Sequence, residues 1–204
     1  RYDGARVDAL LDASPKMVAF FETHTALKFV SGTRIADIHG ATPGACTGGR
    51  SVAPTPLDAR ELGPELLALA RGQKYETSLF GMGVMAGPDL QQFLHATRSP
   101  RAFLHAARRF ARHAWDLAVH RRGMQLVNGT ALVGRLLLSA RDLGVRIHVS
   151  SPAVRLLRDD DGAVRGAVAS TRDGERAIRA SRGVVLATGG FAHDAARRAS
   201  LVPR

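Results

Sequence analysis

The sequence predicts an α/β fold, in which a mainly helical first part, residues 1–125, precedes a second part, residues 126–204, that mixes helix and strand. Three observations favour this division. Apolar residues recur at helical spacing up to Gly144 and alternate with polar residues after it. Two turn sequences rich in Asp and Gly then divide the alternating region into a β-meander. Finally, residues 184–187 are all apolar, as expected of a strand that is covered on both faces.

Helices dominate the predicted first part. Residues 5–21 carry apolar side chains at helical spacing, but Pro15 interrupts them, so we expect two short amphipathic helices there. Residues 58–71 and 88–97 each predict one further helix. The clearest pattern begins after Ser99, a favourable N-cap residue, and predicts a helix over 100–122. The buried face of that helix is expected to carry Phe103, Ala107, Phe110, Ala114 and Leu117.

The connection between the first two helical regions is rich in Gly and Pro over residues 31–58, which predicts a long loop of the kind that often binds ligands. The second part begins with a helix over 131–143 that Gly144 closes. The expected strands then follow at 145–149, 153–157, 163–171, 175–180 and 184–187.

The charge of the chain is strongly asymmetric. Its net charge is +11, but residues 1–97 hold 9 basic and 10 acidic side chains, whereas residues 98–204 hold 20 and 8. A basic helix over 100–122 therefore raises the alternative of a nucleic-acid-binding module. Two features disfavour it: no aromatic platform for stacking bases accompanies the basic residues, and Arg outnumbers Lys 26 to 3, which indicates a compositional bias. We therefore expect no nucleic-acid partner.

Other features limit the classes of protein to which the chain can belong. The single cysteine, Cys46, excludes an internal disulfide and multi-cysteine metal sites, and favours a cytoplasmic location. No apolar run approaches the length needed to span a bilayer, and no secretory leader is recognisable. With hydrophobic residues at 45%, the chain is expected to be a folded domain and not a disordered one.

Two glycine-rich segments are candidate binding sites. Thr188, Gly189 and Gly190 follow the fully apolar strand, where backbone without side chains can approach a phosphate or a ring system; the alternative is a tight corner. Residues 43–50 could form a nest of N–H groups beside Arg50 that suits a carboxylate or phosphate; the alternative is a structural turn in which Arg50 is solvated or paired.

Two further patterns favour structural interpretations. His113, Asp116 and His120 share one flank of the predicted helix and could ligate a metal ion, but a solvated, salt-bridged surface is the preferred interpretation, and no metal site is predicted. Residues 81–87 have the spacing G-x-G-x-x-x-G but lack a clear preceding strand and the expected later acid. They are therefore interpreted as a glycine-rich connection.

Several motifs resemble the fumarate reductase and succinate dehydrogenase flavoprotein superfamily. They are RGMQLVNGTALV at 122–133, DGAVRGAV at 161–168 and RGVVLATGGF at 182–191. Within that superfamily, PGACTGGRS at 43–51 and PLDARELG at 56–63 are similar to the 3-ketosteroid dehydrogenase branch.

The resemblance implies FAD as cofactor, with residues 126–204 forming part of an FAD-binding domain and residues 1–125 forming a mainly helical capping, substrate-side region. It implies that the backbone at Val154 meets the adenine, and that Ala187, Thr188, Gly189 and Gly190 pass close to the ADP part of FAD. The amino-terminal G-x-G-x-x-G unit of the superfamily is missing, so the chain is expected to be an internal fragment whose partners include the remainder of its own chain.

The resemblance also implies a reaction. The steroid branch uses a loop tyrosine for proton transfer, and Ile35 stands at that position here. Because an aliphatic side chain cannot exchange a proton, no catalytic residue is assigned. The leading hypothesis is an FAD-dependent oxidoreductase that moves a hydride between flavin and a steroid-like or unsaturated small molecule. The fragment alone is expected to be inactive.

Overall fold

The computed structural model describes residues 3–72 and 78–201, which form two compact units that divide after Arg146. The domain boundary predicted after residue 125 does not coincide with this division. The reason is that Leu126, Ala131 and Leu138, on the far side of that boundary, contribute to the core of the first unit.

The elements alternate short strands with helices in the first unit and form a meander in the second. The first unit contains α1 (Gly4–His24), β1 (Phe29–Ser31), β2 (Val52–Pro54), β3 (Leu57–Asp58), a 3-10 turn (Ala59–Leu62), α2 (Gly63–Leu69), α3 (Pro88–Leu94), α4 (Pro100–His120), β4 (Gln125–Leu126) and α5 (Asn128–Asp142). The second unit contains β5 (Ala153–Arg158), β6 (Val164–Thr171), β7 (Gly174–Arg179) and α6 (Ala195–Leu201). Mixed helix and sheet are therefore confirmed.

The core of the first unit lies between α2, α5 and the antiparallel pair β3 and β4. Leu57 pairs with Leu126 across the two strands. Gly134 lets α5 approach this pair closely, because a Cβ atom there would lie 2.8 Å from Leu57 Cδ2. The buried core residues are Leu57, Ala59, Leu62, Leu66, Ala70, Met124, Leu126, Ala131 and Leu138.

Two arginines satisfy backbone carbonyls around this core. The Arg135 guanidinium on α5 donates to the carbonyl oxygens of Ala26, Thr55 and Pro56 at 2.8–3.1 Å. Arg122 donates to two carbonyls at the end of α2, those of Leu67 and Ala70, and burial lowers the pKa of its guanidinium. Both side chains join segments that are distant in sequence.

Helix α1 is one helix and not the two expected. Pro15 lies inside it, although a proline removes one helical hydrogen bond. The Asp3 side chain caps its first turn by accepting from the backbone N–H of Arg6, and the Ser14 hydroxyl donates to the Leu10 carbonyl just before the proline. None of its residues is buried, and its exposed apolar side chains are those of Val7, Leu10, Leu11, Met17 and Phe20.

The bounds of α4 agree with the sequence, but the predicted buried face is wrong. Phe103 is 63% exposed and Leu117 is half-exposed, whereas Ala102, Ala106, His113 and Asp116 are the buried residues. The small alanines let neighbouring segments approach closely, and hydrogen bonds satisfy the two polar side chains. The prediction failed because it placed the larger, more hydrophobic phenylalanines in the core in preference to the small alanines.

His113 and Asp116 were expected on a solvated, salt-bridged surface; the solvation is wrong for both, whereas the salt bridge is confirmed for Asp116. Asp116 is only 2% exposed; its Oδ1 accepts from the Arg60 guanidinium at 2.8 Å and its Oδ2 from the Met124 backbone N–H at 3.2 Å. The His113 Nε2–H donates to the Phe80 carbonyl at 2.9 Å, since a carbonyl can only accept. A second hydrogen bond, from Arg60 to Asp58, raises the pKa of Arg60 and is the main cause of that shift.

The second unit is an antiparallel sheet in the order β5-β6-β7, as the meander predicted. The first turn closes where the Gly162 N–H donates to the Asp159 carbonyl, and the hairpin between β6 and β7 begins at the Thr171–Gly174 pair. Gly166 in β6 adopts a φ of 153°, and its Cα faces the neighbouring strand so closely that a Cβ there would lie 2.1 Å from the Ile178 carbonyl oxygen.

Two predicted strands are absent. Residues 145–149 and 184–187 have no strand conformation, and Val185 is 92% exposed. A strand exists only where a neighbour pairs its N–H and C=O groups. Within residues 3–72 and 78–201, no strand pairs with either segment. Both segments have the apolar residues of a strand, but among the described residues neither has a neighbouring strand to pair with.

We expect Asp116→Asn to lower the free energy of unfolding by about 2 to 4 kcal/mol. Both partners of the carboxylate are donors, so the amide nitrogen of Asn would face a donor in either orientation. Urea denaturation followed by circular dichroism measures the change. Asp142→Asn is the matched control, because Asp142 forms an exposed ion pair with Arg141 and should change stability by less than about 0.5 kcal/mol. Equal stability of both variants would contradict the role given to Asp116.

We expect Gly166→Ala to destabilise the second unit by at least about 2 kcal/mol, since the new Cβ would meet backbone atoms of β7 and the φ is unfavourable for alanine. Gly190→Ala is the control, because Gly190 has no positive φ and a Cβ there meets no atom within 4 Å. Hydrogen exchange of the β6 and β7 amides reports the effect; unchanged protection in the Gly166 variant would count against it.

Candidate functional site

The segment predicted to bind a cofactor is open backbone in the second unit. Residues 187–190 have no regular structure, and Gly189 has a φ of 78°. A Cβ atom at Gly189 or Gly190 would meet no atom within 4 Å. A planar or phosphorylated group could therefore approach this backbone without steric hindrance from the chain.

Val154 lies on β5 of the same unit and is half-exposed. Its strand pairs with β6, but Val154 lies at a shift of register between the Ala153–Ala169 and Arg155–Val168 pairs and has no partner residue of its own. Within the described part of the chain, no hydrogen bond joins Val154 to residues 187–190. The sequence-predicted cofactor residues thus share one unit, without a backbone hydrogen bond between Val154 and residues 187–190 among the described residues.

The glycine-rich segment around Arg50 belongs to a closed loop in the first unit. Strands β1 and β2 pair at its base, and the Gly32 and Gly49 N–H groups donate to carbonyls across its neck. Gly48 packs so tightly there that a Cβ atom would lie 2.0 Å from the Thr33 carbonyl oxygen. The loop is therefore ordered by its own backbone contacts.

Arg50 is paired within this loop. Its guanidinium donates to Asp37 Oδ2 at 3.1 Å and to the Gly44 carbonyl at 2.8 Å, and Asp37 Oδ2 also accepts from the Cys46 N–H. The side chain of Arg50 nevertheless remains 58% exposed. Sequence reasoning missed Asp37 as its partner; the one available signal was an acid on the opposite side of the glycine-rich turn.

A cavity of about 570 Å³ lies inside the curve of this loop. Ile35 is among its lining residues, beside Asp37, His39 and Arg50. The Ile35 side chain offers no donor or acceptor, so proton transfer at this position is excluded. The polar groups of the cavity are those of its rim and the backbone.

A second cavity, of about 590 Å³, lies between α3, α4 and residues 78–84, and sequence reasoning did not predict it. Its walls are mostly apolar. The ring centroids of Phe93 and Phe110 are 5.9 Å apart at nearly perpendicular angles. The full lining is Ser78, Leu79, Met82, Gly83, Val84, Leu90, Phe93, Leu94, Ala96, Ala106, Phe110 and Asn128.

Residues 81–87, which were interpreted as a glycine-rich connection, lead into α3 and form one wall of this cavity. Behind that wall, Asp89 accepts from His105 at 2.7 Å and from Arg109 at 2.8 Å. Arg109 also donates to the Gly83 carbonyl at 2.8 Å. These bonds join α3, α4 and the glycine-rich segment.

Two of the arginines of α4, Arg109 and Arg112, are paired with acidic side chains. Arg109 is engaged by Asp89 and is only 14% exposed, and Arg112 lies 3.3 Å from Asp58. Arg60, which pairs with Asp58 and Asp116, joins the same acidic partners. The nucleic-acid alternative has no support from this arrangement.

The described residues offer neither a metal-binding cluster nor a membrane-spanning helix. Residues 3–72 and 78–201 contain no group of three or more His, Cys, Asp or Glu side chains that could hold a metal ion. Across the same ranges, no helix has both the length and the apolar character that crossing a membrane requires.

Comparison with known proteins identifies relatives along the whole chain. A family model described as an FAD binding domain matches residues 1–203. The chain is 38% identical over 204 residues to 4-oxocyclohex-2-ene-1-carboxylate 5-dehydrogenase of Sinomonas cyclohexanicum, covering 99% of this chain and 34% of that protein. It is 34% identical over 195 residues to 3-oxosteroid 1-dehydrogenase of Mycobacterium tuberculosis, covering 93% and 33%. It therefore spans about a third of the length of these curated relatives.

A solved structure agrees with these relatives. The crystal structure of 3-ketosteroid delta1-dehydrogenase from Sterolibacterium denitrificans, in complex with 1,4-androstadiene-3,17-dione, superimposes with a TM-score of 0.81 at 26% identity. The match covers 98% of this chain and 36% of that one. The resemblance to the flavoproteins is thus confirmed, and the chain belongs to the FAD-binding domain family.

Proposed function

We propose that this chain is part of an FAD-dependent dehydrogenase that acts on a ring ketone, of the steroid or cyclohexene carboxylate class. The observation that carries the proposal is the match of nearly the whole chain, in sequence and in structure, to dehydrogenases of such ketones. Because the chain spans about a third of those relatives, the remainder of the protein is the partner that completes the enzyme. The lone Cys46 supports a reducing, cytoplasmic setting.

We assign the ADP half of FAD to Val154, Ala187, Thr188, Gly189 and Gly190. Open backbone at the two glycines fits this group, because a Cβ at either position would fill space that the chain leaves free. When bound, FAD supplies the hydride acceptor of the dehydrogenation. The role of these residues is to bind and orient it.

We assign residues 1–125 to the substrate side of the flavin, as a mainly helical cap. Two cavities in this region, each of more than 500 Å³, support the assignment. Ile35 lines one of them and cannot move a proton, so the acid and base are assigned to other parts of the protein.

Arg50 is our candidate for an anionic substrate group. It is more than half exposed, and its pairing with Asp37 holds the guanidinium at the rim of the loop cavity. A guanidinium can donate further N–H groups to a carboxylate while it keeps such a pair. The site would then favour a ring ketone that carries a carboxylate.

Alanine substitutions at the two glycines test the cofactor site in the intact protein. We expect Gly190→Ala to weaken FAD binding by about tenfold or more, because the methyl group would occupy the place of the cofactor while touching nothing in the chain. Gly189→Ala should act similarly. Flavin absorbance of the purified protein and titration of the apoprotein with FAD measure the effect.

Gly174→Ala is the matched control for this test. Gly174 also has a positive φ and open surroundings, but it lies in the β6–β7 hairpin, so its substitution should leave FAD affinity within about twofold. An intact protein that binds no FAD would overturn the proposed function. Unchanged affinity in both the Gly189 and Gly190 variants would overturn the residue assignment.

Arg50→Gln tests the anion site. We expect the variant to raise KM for 4-oxocyclohex-2-ene-1-carboxylate by about tenfold, while KM for uncharged cyclohex-2-enone changes little, because only the carboxylate needs the guanidinium. Arg34→Gln is the control, since Arg34 is an exposed arginine of the same loop whose only side-chain hydrogen bond in the described residues is a long one to Gln91. An equal change of KM for both ketones in the Arg50 variant would reject the assignment.

A further inference from the structure

We propose that the cavity between α3, α4 and residues 78–84 is a binding site for a neutral alicyclic ketone. The inference rests on the proposed function for the class of ligand, and it assigns that class to a surface distinct from the loop cavity around Arg50. No residue of the proposed FAD site lies in it.

The size and walls of the cavity fit a fused hydrocarbon ring system. Its volume of about 590 Å³ lies within the roughly 300–1,000 Å³ of small-molecule sites. Phe93 and Phe110 present rings at nearly right angles, and aliphatic side chains complete the walls. A flat aliphatic ring system can contact both aromatic faces without leaving a polar group unpaired.

One end of the cavity offers a donor for a carbonyl oxygen. The Asn128 side-chain amide donates one N–H to the Val84 carbonyl at 3.1 Å, and an amide nitrogen carries two. Asn128 is the first residue of α5, where the N–H groups of the first turn also favour an oxygen. An apolar slot with a donor at one end matches a ketone better than a hydrocarbon or an anion.

Polar bonds join the segments that line the cavity. Asp89 and Arg109, with side chains 13% and 14% exposed, anchor α3 and Gly83 to α4 behind the wall. The Met85 N–H also donates to Asp89 at 3.0 Å. Burying such a pair costs desolvation energy, which simple apolar packing of α3 on α4 would avoid. These bonds join α3 and residues 83–85 to α4 beside the cavity, and so support the position of its walls.

The test uses the intact protein and 1,4-androstadiene-3,17-dione as probe, with affinity measured by calorimetry. We expect Leu94→Glu to raise the Kd by about tenfold or more, since Leu94 lines the cavity and a carboxylate there repels an apolar ligand. Leu94 is 67% exposed, so the substitution should not disturb folding. Leu104→Glu is the matched control: Leu104 is 69% exposed, does not line the cavity, and should leave the Kd within about twofold.

A second variant tests the hydrogen-bond donor at the Asn128 end of the cavity. Asn128→Asp keeps a residue that tolerates the φ of 51° at this position but removes the amide donor, and should also weaken the probe by about tenfold. Probe affinity that neither variant changes more than Leu104→Glu does would overturn the inference. Flavin absorbance of the same samples separates the two proposals: FAD bound with unchanged probe affinity rejects the cavity alone, and absent FAD rejects the proposed function.

Discussion

The carboxylate of Asp116 is the contact on which the first unit depends most. It lies almost fully buried on α4 and accepts from Arg60, just before α2, and from the Met124 N–H, just before β4. Removing a carboxylate from water is costly, and these two donors offset that cost. Because the core residues of α2 and α5 follow directly after the two donors in the chain, Asp116 sets how both helices are placed against α4.

The sequence predicted local elements well and non-local ones poorly. The β-meander follows from turns that close within a few residues, such as the one at Gly162, and helices α4 and α5 follow from periodicity and their end signals. Residues 145–149 and 184–187 failed as strands because strand formation requires a neighbour, which no local pattern contains. The buried face of α4 failed because Ala102 and Ala106 are buried by close approach of other segments, not by their own hydrophobicity.

The candidate sites show the same difference between local features, which the sequence predicts, and non-local ones, which it does not. Gly189 and Gly190 could be selected as candidates from sequence, since a glycine pair after an apolar run is a local signal, and their role toward FAD stays a proposal. The cavity beside α3 could not, because its lining combines residues 78–84, 90–96, 106–110 and 128, which only the fold brings together. The pairing of Arg50 with Asp37 also depends on how the loop closes, and no spacing rule relates the two.

The described residues expose two apolar surfaces, residues 184–187 and the cavity beside α3, which differ in the groups that stay uncovered. Residues 184–187 expose apolar side chains together with backbone N–H and C=O groups that have no partner in the described part of the chain. A neighbouring strand would pair with these N–H and C=O groups while its side chains covered the apolar ones. The cavity beside α3 exposes side chains on a backbone already fixed by Arg109, so a small molecule suffices to cover it. The two surfaces thus differ in that residues 184–187 leave backbone groups exposed, whereas the cavity beside α3 exposes mainly apolar side chains.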